Sequence, residues 1–246
     1  RLSFEDGTVR IDADGEDGAV LDGLPDVETD PRSGTGRAPA YRYAAIRNVL
    51  SDRGAEVADR VVAAADLALS TTYELRDYQR EALEAWREAG QRGVIELPTG
   101  AGKTVVAIGA MAALSVPTLV VVPTVDLLHQ WRRELDAEFD VPIGQFGGGQ
   151  QRIESITVST YDSAYLRAGE VGCEFGFVVF DEVHHLGGEG YRDVARLLAA
   201  PARMGLTATF ERPDGAHEVV ADLVGPKVYE RSVDDLAGEH LAPYDI

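Results

Sequence analysis

The run Leu97-Pro98-Thr99-Gly100-Ala101-Gly102-Lys103-Thr104 follows the apolar stretch GVIEL (93–97) and opens straight into KTVVAIGAMAAL (103–114). A strand that turns through glycines into a helix N-terminus is built to hold an anion. Glycine lets backbone N–H groups approach a phosphate closely, and the helix end adds unpaired donors and a favourable dipole. Thr99, Gly100, Ala101 and Gly102 would form the cradle, the Lys103 ammonium would reach the β- and γ-phosphates, and the Thr104 hydroxyl would bind Mg2+. The run departs from G-x-x-x-x-G-K-[ST] at one place, since Leu97 stands where the first glycine falls. Lys103 is one of only two lysines in the chain, Lys227 being the other, and the remaining 21 basic residues are arginines.

The chain around this loop has two textures. Residues 2–12 alternate about Asp6-Gly7 and predict a hairpin; a Gly/Pro/Asp-rich loop follows, and then a helical spacing from Tyr41 that stops at Gly54. A polar break at Ser70-Thr71-Thr72 suggests a domain boundary near residues 66–73. Beyond it, helices (RDYQREALEAWREAG, KTVVAIGAMAAL, DLLHQWRRELDAEF) alternate with short apolar strands (93–97, 118–123, 156–160, 175–180 and 203–210). That alternation predicts an α/β fold whose parallel sheet is covered by helices on both faces, preceded by a small mixed α/β N-terminal domain.

A phosphate loop of this kind needs a second, acidic strand end. The stretch VVFDEVHHLG (178–187) supplies one. Alone, it also suits a transition-metal site or an acid/base pair. With the lysine loop upstream, Asp181 becomes the Mg2+ partner and Glu182 the residue that orients or deprotonates water. A zinc site is disfavoured, because adjacent His184 and His185 lack the H-E-x-x-H spacing and no Cys/His cluster supports them. Arg76 and Gln79, at i and i+3 just upstream of the loop, share a helical face, and a glutamine can pair with an adenine edge through both donor and acceptor. Gln130 and Trp131 lie on an amphipathic helix and read as packing.

Composition bounds the setting. A single cysteine, Cys173, excludes an intramolecular disulfide and fits a reducing interior. No run approaches the roughly 20 apolar residues that span a bilayer, so a cytoplasmic protein without membrane contact is expected. The chain starts at Arg1 without methionine, as a fragment or processed form would. A net charge of −19 argues against a polyanionic partner taken alone, but equally describes an acidic surface adapted to high salt. Locally the sign reverses: residues 31–53 carry five arginines against Asp52 alone. These arginines suit a nucleic-acid contact or a solvated helix.

The series LRDYQ, LPTGAGKT, VVPTVDLLHQW, Gly147-Gly148-Gly149, ITVSTYDSA, VVFDEVHH and GLTATF resembles the first motor domain of superfamily 2 helicases. VSTYDSAY, DEVHHL, GLTATFERPDG and the upstream DPRSGTGRAPAYRY are similar to the XPB-type DNA repair helicases of archaea and bacteria. The resemblance implies a small DNA-sensing, damage-recognition-like domain at 1–66 and the first RecA-like ATP-binding domain at 67–246. The second RecA-like domain, absent from this chain, would be a partner from the same polypeptide. It also implies ATP and Mg2+ as cofactors, forked, distorted or damaged duplex DNA as partner, and a repair nuclease nearby. Pro123, Thr124 and Thr160 would lie along the DNA backbone, and His184, His185, Thr207 and Thr209 would couple the acidic strand end to it. Arg212 and Asp214 match the family's Arg-Glu-Asp element, which Pro213 interrupts. The implied activity is that of an ATP-dependent helicase or translocase in nucleotide excision repair, with negligible ATP hydrolysis by this half alone. The rival readings are the motor of a restriction-type double-stranded DNA translocase and a non-catalytic DNA-binding module with a relic nucleotide pocket.

Overall fold

The structure, a computed structural model, describes residues 1–13, 20–63, 65–188, 190–210 and 215–236. The N-terminal residues build a five-stranded sheet from β1 (Leu2–Glu5), β2 (Thr8–Asp12), β3 (Glu28–Asp30), β4 (Thr35–Pro39) and β5 (Asp59–Arg60), in the order β3-β4-β2-β1-β5. The β1–β2 hairpin pairs Glu5 with Thr8 across Asp6 and Gly7, both at positive φ, as a tight primed turn requires. The helix expected from Tyr41 begins as a 3-10 turn over Ala40–Arg42 and becomes α1 (Tyr43–Asp52), with Gly54 at φ +68 just beyond its end. Leu2, Val9, Ile11, Ile46 and Leu50 fill the core beneath this sheet.

The rest forms an eight-stranded sheet. Its elements are α2 (Asp77–Glu88), β6 (Arg92–Glu96), α3 (Lys103–Leu114), β7 (Thr118–Val122), α4 (Val125–Glu138), β8 (Ile143–Gly147), β9 (Gln150–Arg152), β10 (Ile156–Thr160) and α5 (Tyr161–Val171). They continue through β11 (Phe177–Asp181), α6 (Tyr191–Leu197), β12 (Ala202–Thr207), α7 (Ala216–Leu223), β13 (Lys227–Glu230) and α8 (Val233–Leu236). The strand order is β13-β6-β12-β11-β7-β10-β8-β9, parallel throughout except the terminal β8–β9 hairpin.

Both faces are covered, and alternation along each strand sorts the side chains. Ile95, Val120, Val122, Phe177 and Val179 face α2, α3 and α4 together with Trp86, Ile108 and Trp131. Val94, Leu119, Val121, Val178 and Phe180 face α5, α6 and α7 with Tyr161, Val194 and Leu223. β11 lies between β12 and β7, which explains why its residues are apolar on both sides.

The N-terminal sheet is seated on the α5–α7 face. Tyr41 joins the core beneath α5–α7, and its hydroxyl donates to Asp222 of α7 at 3.0 Å. Arg42 pairs with Asp222 at 2.8 Å and with Asp26 at 2.6 Å. The connecting residues are tied down: Leu67 and Leu69 bond to Ser115 at the end of α3, and Thr71 and Thr72 bond to the Glu138 carboxylate at the end of α4. Among the described residues no helix is long and apolar enough to cross a membrane.

Candidate nucleotide site and nucleic-acid rim

β6 delivers the glycine-rich loop expected to hold phosphate. Leu97 N–H bonds to the Thr207 carbonyl at 3.0 Å, so the loop starts locked to the end of β12. Gly100 and Gly102 hold φ +82 and +77, the left-handed conformation that glycine adopts without strain, and Gly102 caps α3. Lys103 is half-buried, and its ammonium donates to the carbonyls of Leu97 (3.0 Å) and Pro98 (3.4 Å). Burial lowers its proton affinity, opposed by the nearby charges of Glu182 and Asp181. Thr104 stands in the first turn of α3, half-buried; Thr99 is exposed and Ala101 buried.

Gln79 is buried against this loop, and both halves of its amide are engaged within the protein. Its Oε1 accepts the Arg76 backbone N–H at 2.9 Å, closing the start of α2, and its Nε2 donates to the Ala101 carbonyl at 3.0 Å. Tyr78 donates to the same carbonyl at 2.8 Å. Gln79 therefore braces this glycine-rich loop with one donor and one acceptor of its amide. The Arg76 guanidinium lies 3.4 Å from the Tyr78 hydroxyl.

Asp181 ends β11 nearly buried. Its Oδ2 accepts the Trp131 indole N–H at 2.7 Å, and its Oδ1 accepts the Glu182 backbone N–H at 3.0 Å. Burial and the Glu182 charge raise its proton affinity, while the Trp131 bond and Lys103 hold it down. Tyr161, fully buried, donates to the Asp181 carbonyl at 3.1 Å. Neither Trp131 nor Tyr161 was singled out for the site from sequence. Leu128, Trp131 and Leu135 read as an apolar stripe, and the available signal was that a buried indole N–H must find an acceptor.

Glu182 turns the chain with φ 47 and ψ 53, rarely populated by a residue with a side chain, and starts a 3-10 turn over Val183–Gly187. That turn places the His184 and His185 rings side by side, centroids 4.6 Å apart, although adjacent residues of a strand or α-helix would diverge. His184 Nδ1 lies 3.1 Å from the Thr207 hydroxyl and 3.5 Å from a Glu182 carboxylate oxygen; His185 lies against Tyr161. Thr207 is fully buried and exchanges hydrogen bonds with the main chain of exposed Thr209. No group of three or more metal-ligating side chains occurs among the described residues.

The ends of β7, β10 and β8 form an adjoining rim. Thr124 caps α4 by accepting Leu127 N–H at 3.2 Å, and Thr160 caps α5 by accepting Ser163 N–H at 3.3 Å. Thr160 pairs with Val122, so Pro123 and Thr124 continue beside it. Gly147, at φ +124, leaves no space for a Cβ next to Ser163 and Thr160, which brings bare backbone against the α5 cap. Pro123 and Thr124 are accessible, whereas Thr160 is buried. Gln130 is exposed and bonds to Glu134. Arg212 and Asp214 lie outside the described residues.

The arginines of residues 31–53 are largely committed within the chain. Arg37 pairs with Glu5, Arg42 with Asp26 and Asp222, and Arg47 with Asp59, while Arg53 donates to the carbonyls of Val20 and Asp22. The local positive balance is thus spent mostly on neighbouring acids.

Residues 72–212 match the family described as Type III restriction enzyme, res subunit, and residues 2–61 match the Xeroderma pigmentosum group B helicase damage recognition domain. The chain is 48% identical over 210 residues to the DNA 3'-5' translocase XPB2 of Sulfurisphaera tokodaii, covering 85% of this chain and 48% of that protein. It is 38% identical over 178 residues to the DNA 3'-5' helicase XPB of Mycobacterium tuberculosis, covering 68% of this chain and 32% of that one. The chain therefore spans about half, or less, of these curated relatives. Among solved structures, the UvsW helicase of bacteriophage T4 matches 93% of this chain and 98% of its own, with a TM-score of 0.53 at 18% identity. The Sulfolobus solfataricus SWI2/SNF2 ATPase core, solved with double-stranded DNA, matches 68% of this chain and 38% of its own, with a TM-score of 0.55 at 20% identity. These likenesses establish the fold, a RecA-like core.

Proposed function

Because the chain belongs to the XPB-type helicases of superfamily 2, we propose that it is the ATP-binding half of an ATP-dependent DNA helicase or translocase acting in nucleotide excision repair. The observation that carries this reading is the convergence of Lys103, Asp181 and Glu182 where β6 and β11 end, with both carboxylates opposing the lowering that burial imposes on Lys103. Residues 1–66 would be the DNA-sensing domain and residues 67–246 the first motor domain, with the second RecA-like domain supplied by the rest of the polypeptide. The match of residues 2–61 favours an XPB-type parent over a restriction-type translocase.

The residues present suit Mg2+–ATP. The cradle is shaped by two left-handed glycines, and the donor set is of hard oxygens, the Thr104 hydroxyl and the Asp181 carboxylate. When bound, Mg2+ neutralises charge on the β- and γ-phosphate oxygens. The loop amides and Lys103 would hold the phosphates, and Thr104 and Asp181 would hold the metal. Glu182 accepts the proton of the water that attacks the γ-phosphorus, as the bond to the ADP oxygen breaks. His184 passes the position of Glu182 to Thr207 and Thr209. Pro123, Thr124 and Thr160 would meet the DNA backbone, where loop amides and hydroxyls position without reading sequence.

A fluorescent ATP analogue titrated with Mg2+ tests the nucleotide site. Wild-type protein should bind it and Lys103→Ala should lose at least about 10-fold in affinity. Salt titration of binding to forked against intact duplex tests the DNA reading, with a preference for the fork expected. Hydrolysis by this chain alone should be negligible, since an arginine from a second domain is worth about 10³–10⁵ in rate. Robust DNA-stimulated turnover by the purified chain would overturn that last expectation.

A further inference from the structure

The α4 helix reaches both the rim and the nucleotide site. It starts at Thr124 on the rim, and two turns later, on its buried face, Trp131 meets Asp181. The indole has one donor and no acceptor, so its whole polar capacity goes to Asp181 Oδ2 at 2.7 Å. The other carboxylate oxygen is held by the Glu182 N–H at 3.0 Å. Both oxygens are thereby fixed in direction, and each keeps an acceptor site to offer. Leu128 and Leu135 pack the same helical face without touching a polar group in this way, so packing alone explains them but not the aim of the indole N–H.

We propose that Trp131 is a positioning residue that sets the Asp181 carboxylate for Mg2+. The proposal rests on the nucleotide reading above.

The test titrates Mg2+ into the protein with a fluorescent ATP analogue and compares wild type, Trp131→Phe and Leu128→Ala. Phenylalanine keeps an aromatic ring but removes the N–H. Trp131→Phe should raise the Mg2+ concentration for half-maximal binding by about 10-fold, the lower end of losses seen when a partner of a metal ligand is removed. Binding of the analogue in EDTA should stay within about twofold of wild type. Leu128→Ala should lower the melting temperature yet leave the Mg2+ midpoint within about twofold. In wild-type protein, indole emission should change when Mg2+ is added to the nucleotide complex. The same Mg2+ midpoint in Trp131→Phe as in wild type, an equal rise in Leu128→Ala, or silent indole emission would each overturn the proposal while leaving the nucleotide reading standing. No Mg2+-dependent nucleotide binding by wild type would overturn both.

Discussion

His184 Nδ1 faces the Thr207 hydroxyl at 3.1 Å, and that hydroxyl already donates its proton to the Thr209 carbonyl at 2.9 Å. The oxygen is therefore left to accept, which the Nδ1–H tautomer of His184 would satisfy. The bond joins the turn after β11 to the end of β12, two residues beyond the carboxylate read as the water-activating base. Thr207→Val would keep the shape and delete the acceptor. In the protein with both motor domains, DNA-stimulated hydrolysis should fall about 10-fold or more, with nucleotide affinity within about twofold. Steady-state ATPase assays with and without DNA, beside nucleotide titrations, check the split.

Gln79 offers a sharper separation. Gln79→Glu keeps the acceptor for Arg76 N–H and sets a carboxylate oxygen against the Ala101 carbonyl. Losing that brace should weaken ATP and GTP analogues alike, by about 10-fold, because the phosphate loop is what suffers. A loss confined to ATP would mean that the amide reads the base.

The tie between the connecting residues and α4 should titrate. Burial raises the Glu138 proton affinity, but hydrogen bonds from Thr71 and Thr72 outweigh it and hold the carboxyl below its ordinary 4.5. A depressed native value means the stabilisation is complete above 4.5 and is lost as pH falls through the lower native value. Glu138→Gln should therefore melt earlier than wild type near neutrality, by about 1 kcal/mol of stability. Melting curves at descending pH should show the gap closing in that acid window.

The seat of the N-terminal sheet turns on Asp222, which accepts from both Tyr41 and Arg42. Asp222→Ala should cost about 1–2 kcal/mol, kept modest by solvent at the half-exposed carboxylate. Hydrogen exchange should quicken around residues 40–43 and 216–223 together. Tyr41→Phe should reproduce about half of the effect, and faster exchange on one side only would contradict a shared seat.

Much of this architecture was readable before any coordinates. Apolar runs bounded by glycine gave the strands, and KTVVAIGAMAAL runs as α3 over the same residues, Lys103–Leu114. The β8–β9 hairpin was hidden because Val-Pro-Ile-Gly-Gln-Phe has no clean period. Gly144 is there because a Cβ would lie 2.5–2.8 Å from Thr157, Glu154 and Arg152. β13 was hidden too, since a short edge strand with exposed charges resembles a loop. In the site, residue types were legible and their directions were not. The left-handed turn at Glu182 brings two histidines together, and the buried Trp131 indole aims at Asp181, through tertiary geometry that no local pattern carries.

The scarcity of lysine has a practical side. Lys103 bonds to Leu97 and Pro98, and Lys227 pairs with Glu96, so both side-chain amines lean on the same three-residue stretch that ends β6. Within these 246 residues an amine-selective acylating reagent has only these two side chains to modify. The rate at which each is modified becomes a built-in reporter of that stretch, read by mass spectrometry without an introduced label.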